Sequence, residues 1–281
     1  MSWTKKIIII VSTIALIGVF DYWLWLPKRS PSSKSSDINQ QQNQDIRQDI
    51  GNKDFRQESP INNSLPNNTP FKIQPAERLV GENFNLKSPV LLSVPFASQA
   101  PYANWDELHN EACEEAALIM AQAWLKDENL TPDKVEERIL GAVVWQEKNW
   151  GGHFDLPAEK IVELARNYFQ IEKIRVEYGV EIDDIKKELS KGNLVLVPAA
   201  GRILENPYYR QPGPYYHMLV VIGYNEKEII TNDPGTKRGK NFKYSYENFF
   251  KAIHDWPGPL GSAKDEVNIL SGRKAMIVIE K

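Results

Sequence analysis

The chain contains one cysteine, Cys113, in the segment "NEACEEAALIMAQAWL" (residues 110–125). With Asn110 as the predicted cap, Cys113 falls in the first turn of a helix. Unpaired N–H groups and the helix dipole favour an anion there and lower the pKa of a thiol. The same helix face is apolar, which is equally typical of a buried core cysteine. Cys113 is therefore either a nucleophile or a core residue, and Glu114 and Glu115 would oppose a thiolate if they faced it.

A cysteine nucleophile needs a base, usually a histidine, and a third group that orients the base. His217 opens the predicted strand "HMLVVIGYN" (217–225), and Asp233 ends the next predicted strand. A hairpin through residues 225–227 would bring Asp233 beside His217, where a carboxylate can fix the imidazole tautomer. Two alternatives stay open: a buried strand histidine, and an aspartate that makes an Asx turn before the Pro–Gly pair.

Gln99, in "VPFASQAPYANW", lies just past a predicted strand and upstream of Cys113. A side-chain amide beside the backbone N–H of Cys113 would give an oxyanion hole with two donors. A single glutamine in a loop is weak support for this. His109 is a rival base close to Cys113 in sequence, but no strand or partner is expected to position it.

Aromatic residues flank these candidates on both sides. Tyr102 and Trp105 follow Gln99 and are predicted to bind substrate on the wall of a cleft, or else to pack at the surface. The stretch "NPYYRQPGPYYH" (206–217) leads into His217, with Tyr215 and Tyr216 as further substrate-binding candidates. This stretch could form a rim or lid over a site, or it could be a plain connector.

Predicted helices and strands must position these residues, and the two kinds of element are unevenly distributed along the chain. The hydrophobic spacing predicts helices at 110–125, 131–150, 157–169, 181–192 and 245–256, and strands at 89–96, 172–179, 193–199, 217–225, 228–233 and 274–280. Helices come mostly first and neighbouring strands mostly later. The pattern therefore predicts an α+β fold with helices on one side of an antiparallel sheet.

Four segments stand in a fixed order: "VPFASQAPYANW", "ACEEAALIMAQAW", "HMLVVIGYN" and "IITNDPG". Together they resemble the papain-like cysteine peptidases of the bacteriocin-processing, double-glycine type (peptidase family C thirty-nine) and their stand-alone bacterial relatives. The resemblance implies a papain-like fold over the globular part of the chain. It also implies Cys113 as nucleophile, His217 as general base, Asp233 as its orienter and Gln99 as oxyanion donor, with no metal or organic cofactor.

The first 85 residues are predicted to form two non-catalytic regions. Residues 1–27 read as an uncleaved membrane anchor, because an apolar run at 7–26 matches the roughly 20 residues that span a bilayer. A cleaved signal peptide is the alternative, but the far end of the run is bulky and aromatic. Residues 28–85 are polar and predict a disordered linker, with an inhibitory pro-segment as the alternative. Residues 86–281 are the predicted papain-like peptidase domain.

Composition narrows the classes of function. With a formal net charge of −3, nothing in the composition indicates a nucleic-acid binder, and a single cysteine excludes an internal disulfide or a Cys-rich zinc site. We expect a monomeric, single-pass membrane-anchored cysteine peptidase that acts on peptides or proteins, with its domain outside the cytoplasm. The alternatives are a cell-wall amidase or transpeptidase with the same site, or a catalytically silent peptide-binding module.

Overall fold

The structure of the protein is a computed structural model that describes residue 86 and residues 88–281. The predicted anchor over 1–27 and the predicted linker over 28–85 lie outside these residues. Within the described part, none of the helices has both the length and the apolar character that a membrane span requires.

A seven-stranded sheet with antiparallel pairing throughout forms the centre of the fold. The strands are β1 (Val90–Leu91), β2 (Ile174–Tyr178), β3 (Leu194–Ala199), β4 (His217–Tyr224), β5 (Glu228–Asn232), β6 (Phe242–Ser245) and β7 (Ala275–Ile279). Their order is β2-β7-β3-β4-β5-β6, and β1 pairs with the far end of β4. The predicted antiparallel sheet is confirmed.

Six α-helices within residues 88–281 accompany the sheet. They are α1 (Glu107–Asn110), α2 (Cys113–Leu125), α3 (Pro132–Trp150), α4 (Ala158–Asn167), α5 (Ile182–Ser190) and α6 (Tyr246–Ala252). Short 3₁₀ helices lie at Gly201–Leu204 and Ile269–Ser271. The start of α3 follows its sequence signals: the Thr131 hydroxyl caps the helix, Pro132 occupies the first turn, and Gly151 ends it at φ +83°.

Helices cover both faces of the sheet, whereas the sequence pattern predicted helices on one side only. Every residue of β3, β4 and β7 is buried. Alternate residues of β4 belong to different cores: Met218 and Val220 lie in the core with residues of α2, α3 and α4, and Leu219 and Val221 lie in the core with residues of α5 and α6. Strands that are apolar at every position need cover on both faces, so α5 and α6 complete the second layer.

Two predicted elements differ near the candidate nucleophile. The strand expected over 89–96 is reduced to β1, since the chain leaves the sheet after a hydrogen bond from Leu92 N–H to the Ile222 carbonyl. Asn110 does not cap the long helix. It ends the short helix α1, and Ala112 is the residue that precedes α2. Cys113 is therefore the first residue of α2, two residues nearer the helix end than Asn110 as cap would place it.

Candidate active site

An open cavity of about 830 Å³ lies where α2 and β4 begin. Cys113, the first residue of α2, and His217, the first residue of β4, both line it, together with Gln99. The two elements are anchored in the core, so the side chains at their ends have well-defined positions. A second cavity of about 560 Å³, beside β1, has no cysteine or histidine in its lining.

His217 and Asp233 are in direct contact, as a hairpin of β4 and β5 would require. His217 Nε2 lies 2.8 Å from Asp233 Oδ1, and both side chains are buried. Val220 pairs with Asn232, so Asp233 follows the paired region at the end of the sheet where β4 starts. The Asp233 contact occupies Nε2 and leaves Nδ1 as the ring nitrogen for proton transfer.

Asp233 is the most heavily hydrogen-bonded side chain of the site. Its Oδ1 also accepts a hydrogen bond from the Gly235 N–H at 2.9 Å, and this contact forms an Asx turn. Asp233 therefore both contacts His217 and makes the turn before Gly235. Its Oδ2 accepts three more hydrogen bonds, from Asn206 Nδ2 (2.9 Å), the Tyr209 hydroxyl (2.6 Å) and the Tyr244 hydroxyl (2.5 Å). Burial alone would raise the pKa of Asp233, but His217 and these donors outweigh it and lower the pKa.

Two further contacts hold the imidazole of His217 in its plane. The Tyr209 ring meets it edge to face, with 5.4 Å between ring centroids and 77° between the planes. Gly235 lies close to both rings, and a Cβ there would lie 2.8 Å from His217 Cε1 and 3.0 Å from the Tyr209 ring. No larger residue fits at Gly235 unless the imidazole or the tyrosine shifts.

The thiol of Cys113 opens onto the cavity but is otherwise enclosed. It is 3 % exposed, and its Sγ lies 2.9 Å from Glu114 Oε2. Burial and the charge of Glu114 raise the pKa of the Cys113 thiol. The expectation of a lowered thiol pKa at the helix N-terminus is therefore wrong for this state, because desolvation and acidic neighbours outweigh the helix dipole. The described contacts contain no hydrogen bond between Cys113 and His217.

Acidic side chains lie around Cys113 at the start of α2. Glu114 is completely buried, and burial, followed by the charges of Glu115 and Asp155, raises its pKa to about 8. Glu115 is also completely buried and accepts a hydrogen bond from Gln146. His153 Nε2 lies 3.4 Å from Glu115 Oε1, an ion pair without hydrogen-bond geometry.

Asp155 and Lys264 belong to the cavity lining but were not predicted. Lys264 Nζ lies 3.4 Å from Asp155 Oδ2 and also contacts Glu111. Burial raises the pKa of Asp155 to about 6 against the opposing effect of Lys264. Lys264 lies about 150 positions after Cys113, in a loop without regular structure, so no local spacing could have indicated this contact.

Gln99 lies at the cavity, but its amide is already engaged. Its Nε2 donates to the backbone carbonyls of His109 (2.8 Å) and Asn110 (3.1 Å). Its Oε1 is buried without a partner among the described residues. Donation to an oxyanion would require one of these two hydrogen bonds to be released, and the longer one, to Asn110, is the weaker.

The four aromatic candidates divide evenly. Trp105 and Tyr216 line the cavity, and the Tyr216 hydroxyl also donates to the Leu156 carbonyl at 2.9 Å. Tyr102 and Tyr215 are not part of the lining. Tyr102 is exposed, and its hydroxyl donates to Asp133 at the start of α3. The Tyr215 hydroxyl donates to the backbone carbonyl of Val267.

His109 is positioned by two partners, contrary to the sequence interpretation. Its Nδ1 lies 2.7 Å from Asp106 Oδ1 and its Nε2 lies 3.0 Å from Glu136 Oε2. Although burial lowers it, these carboxylates raise the pKa of His109 overall. Both ring nitrogens are occupied and the residue is not part of the cavity lining, so His217 is the better candidate for the base.

No group of three or more His, Cys, Asp or Glu side chains within residues 88–281 is arranged to hold a metal ion. The side chains of the cavity have a chemistry of their own. The cavity contains a thiol, an imidazole backed by a carboxylate, and amide groups at the start of α2. These are the groups required for nucleophilic acyl transfer.

Comparison with known proteins gives the family. A crystal structure from Bacillus anthracis, provisionally assigned as a C39-like peptidase, is 16% identical, with 69% of this chain and 98% of that chain covered and a TM-score of 0.45. No curated protein sequence matched the chain. The sequence profile of the Peptidase_C39 like family matches residues 91–258, more than half of the 281 residues. The chain therefore belongs to the C39-like peptidase family.

Proposed function

We propose that the protein is a cysteine peptidase that hydrolyses peptide bonds with Cys113, His217 and Asp233. One observation carries the proposal. His217, held at 2.8 Å by a fully buried carboxylate, opens onto the same cavity as the only cysteine of the chain. A histidine with this backing is a base of fixed tautomer and orientation, and it lines the same cavity as a thiol, a side chain that can act as a strong nucleophile.

The proposed reaction begins with transfer of the Cys113 thiol proton to His217 Nδ1. The sulfur attacks the peptide carbonyl carbon, a C–S bond forms, and the π electron pair moves to the oxygen. Collapse of this intermediate breaks the C–N bond, and the amine leaves with the proton from His217. Water, deprotonated by His217, then attacks the thioester, releases the carboxylic acid and returns the proton to the sulfur. Asp233 stays ionised throughout and stabilises the imidazolium.

We propose that the oxyanion is held by the backbone N–H of Cys113 and by Gln99 Nε2. The residue before α2, Ala112, provides no side-chain cap, so the helix end offers its N–H groups to an anion. Gln99 would exchange its 3.1 Å hydrogen bond to the Asn110 carbonyl for one to the substrate oxygen.

The proposal predicts an acyl-enzyme on Cys113. The full chain, prepared in detergent, is mixed with a pool of internally quenched peptides, stopped in acid and examined by intact-mass and peptide-mapping mass spectrometry. We expect an acyl adduct on Cys113 and release of the amine fragment within one turnover. Protein pretreated with iodoacetamide is the control and should show neither.

Other outcomes separate the alternatives. Transfer of the acyl group to an added amine, in preference to water, would identify a transpeptidase. Cleavage of cell-wall peptide amides alone would identify an amidase. Peptide binding without any adduct on Cys113 would contradict the proposal and identify a binding module.

The cavity also predicts a preference for acidic peptides. Arg210, Lys237 and Arg238 line it and are exposed, and no carboxylate within residues 88–281 lies at ion-pair distance from them. The chain as a whole carries a net charge of −3, so this positive wall is a local feature. Exposed ion pairs are weak, and we expect roughly two- to fivefold higher kcat/KM for each Asp or Glu near the scissile bond than for Asn or Gln.

Matched peptides that differ only at these positions give the measurement. Lys237→Gln with Arg238→Gln should reduce the preference, and added salt should do the same. Lys240→Gln is the matched control, because Lys240 lies on the same connection but lines the other cavity. Equal rates for acidic and neutral peptides at low salt would contradict the predicted preference.

A further inference from the structure

Glu114 makes a contact that the proposed reaction does not use. Its Oε2 lies 2.9 Å from Cys113 Sγ, and its Oε1 accepts the Leu156 N–H at 3.0 Å. The side chain is completely buried, so both oxygens are held in place. We propose that Glu114 is a further catalytic residue, whose protonated carboxyl hydrogen-bonds the sulfur of Cys113 and whose ionisation keeps the thiol protonated. This inference rests on the proposed role of Cys113 as nucleophile.

The surroundings of Glu114 favour its protonated form. Glu115 faces it from the same helix turn, and Asp155 faces it from the segment between α3 and α4. Tyr216, before β4, and His153, between α3 and α4, are further titratable neighbours of Glu114. The nearby cations serve other groups, because His153 pairs with Glu115 and Lys264 pairs with Asp155 and Glu111. Burial and these like charges raise the pKa of Glu114 to about 8.

The charge states of Glu114 and Cys113 are therefore linked. A thiolate and a carboxylate at 2.9 Å repel each other strongly in a buried site. When Glu114 is protonated, its O–H can donate to the sulfur and stabilise the thiolate that forms as His217 takes the thiol proton. The carboxyl proton stays on Glu114 through the reaction, so the proton balance of the acyl transfer is unchanged. When Glu114 is ionised, formation of the thiolate is opposed.

The test measures alkylation of Cys113 by iodoacetamide against pH in the full chain. In the wild type, the rate should rise towards pH 8 and level off above it, because further proton loss then comes from Glu114. Glu114→Gln keeps a donor for the sulfur and an acceptor for the Leu156 N–H, but it cannot ionise. Its rate should stay within about threefold of wild type at pH 7 and continue to rise through pH 9. Glu114→Met removes the donor and should slow alkylation at pH 7 by about tenfold.

Glu115→Gln is the matched control, since Glu115 is equally buried on the same helix turn but does not touch the sulfur. Its profile should still level off, but at a lower pH than in the wild type, because the charge of Glu115 no longer raises the pKa of Glu114. Identical profiles for wild type and Glu114→Gln would overturn the inference, even if Glu114→Met failed to fold. The assay reads the thiol and not peptide cleavage. A protein that alkylates as expected but cleaves no peptide would reject the peptidase proposal alone.

Thermal unfolding gives a second readout of the same carboxyl. The folded-state pKa of Glu114 is raised from about 4.5 to about 8, so its effect on stability is favourable below the lower value and lost as pH rises through the upper one. Glu114→Gln should therefore unfold at a higher temperature than wild type at pH 9. A lower unfolding temperature for Glu114→Gln at pH 9 would show that ionised Glu114 is stabilised in the fold, which contradicts the inference.

Discussion

Replacing Cys113 with alanine is expected to reduce kcat/KM for peptide cleavage by at least about 10³-fold, because the acyl-enzyme cannot form without the sulfur. Cys113→Ser keeps a nucleophilic atom in the same place and should be nearly as inactive, since an alcohol is far less acidic than a thiol. Peptide binding by Cys113→Ala should be unchanged, because the cavity and its charged wall remain. Stopped assays with the peptides cleaved by the wild type provide the measurement.

The unfolding temperature is the control for effects of these substitutions on folding. Both substitutions are small changes at the first residue of α2, which leaves the core of the helix intact, so the unfolding temperature should hardly move. Loss of cleavage together with loss of folding would make the experiment a test of stability only, and fluorescence-detected binding to Cys113→Ala would reveal this. Retention of more than a few per cent of the cleavage by Cys113→Ala would place the chemistry on another residue.

Replacing Asp233 with asparagine should damage both activity and folding. The amide presents N–H groups to a site where every neighbour is a donor: His217 and Gly235 on one side, Asn206 and the two tyrosine hydroxyls on the other. We expect kcat/KM to fall by roughly 10²- to 10⁴-fold, because His217 loses its fixed tautomer and the stabilisation of its charged form. We expect a loss of about 2–4 kcal/mol in the free energy of unfolding from the unpaired buried donors.

The stability effect of Asp233→Asn should depend on pH. The pKa of Asp233 is lowered in the folded protein, so the stabilisation by its carboxylate is complete above the ordinary pKa of an aspartate, near 3.8. It is lost as the pH falls through the lower, folded-state pKa. Urea titrations should therefore show a large difference between variant and wild type at pH 7 and a smaller one in strong acid.

Asp255→Asn is a matched control for Asp233→Asn. Asp255 is also buried, and it accepts the N–H groups of Ala158 and Trp256 at 2.8 and 2.9 Å, away from the cavity lining. Its loss should weaken the fold and leave kcat/KM of the folded protein unchanged. Equal losses of activity in the two variants would mean that Asp233 acts on folding and not on His217.

The parts of this fold that sequence could predict are those encoded locally. The continuous apolar runs in the sequence identified β3, β4 and β7. The three-residue turn between β4 and β5 fixed the register that places Asp233 near His217. The same runs should also have indicated cover on both faces, because an antiparallel sheet with one solvated face would alternate in polarity. That second layer was missed. Strand β6 has only four residues and α1 is a helix of the same length, so neither had enough period to be recognised.

The electrostatics of the site depend on contacts that no local pattern encodes. Tyr209 and Tyr244 reach Asp233 from positions 24 and 11 residues away, on different elements. The sign of the thiol pKa shift was mispredicted for a related reason. The helix dipole can be read from sequence, but the depth of burial of Cys113 and the direction of Glu114 cannot. The sequence shows that Glu114 and Glu115 follow Cys113. Whether their carboxyl groups face the sulfur depends on side-chain conformation, which the sequence does not show.

The hydrogen bond between Tyr209 and Asp233 has a consequence for access to the site. Tyr209 is a buried residue of the cavity lining, and its hydroxyl is 2.6 Å from the carboxylate that contacts His217. Movement of Tyr209 away from the cavity would remove a hydrogen-bond donor from Asp233. Widening the entrance there would therefore also weaken the support of His217. We expect a cavity wall that stays in place at Tyr209 to admit an extended chain more readily than a folded domain. Selection among substrates would then depend on whether a segment is unstructured, and the peptidase would discriminate by the conformational state of its target before it discriminates by sequence.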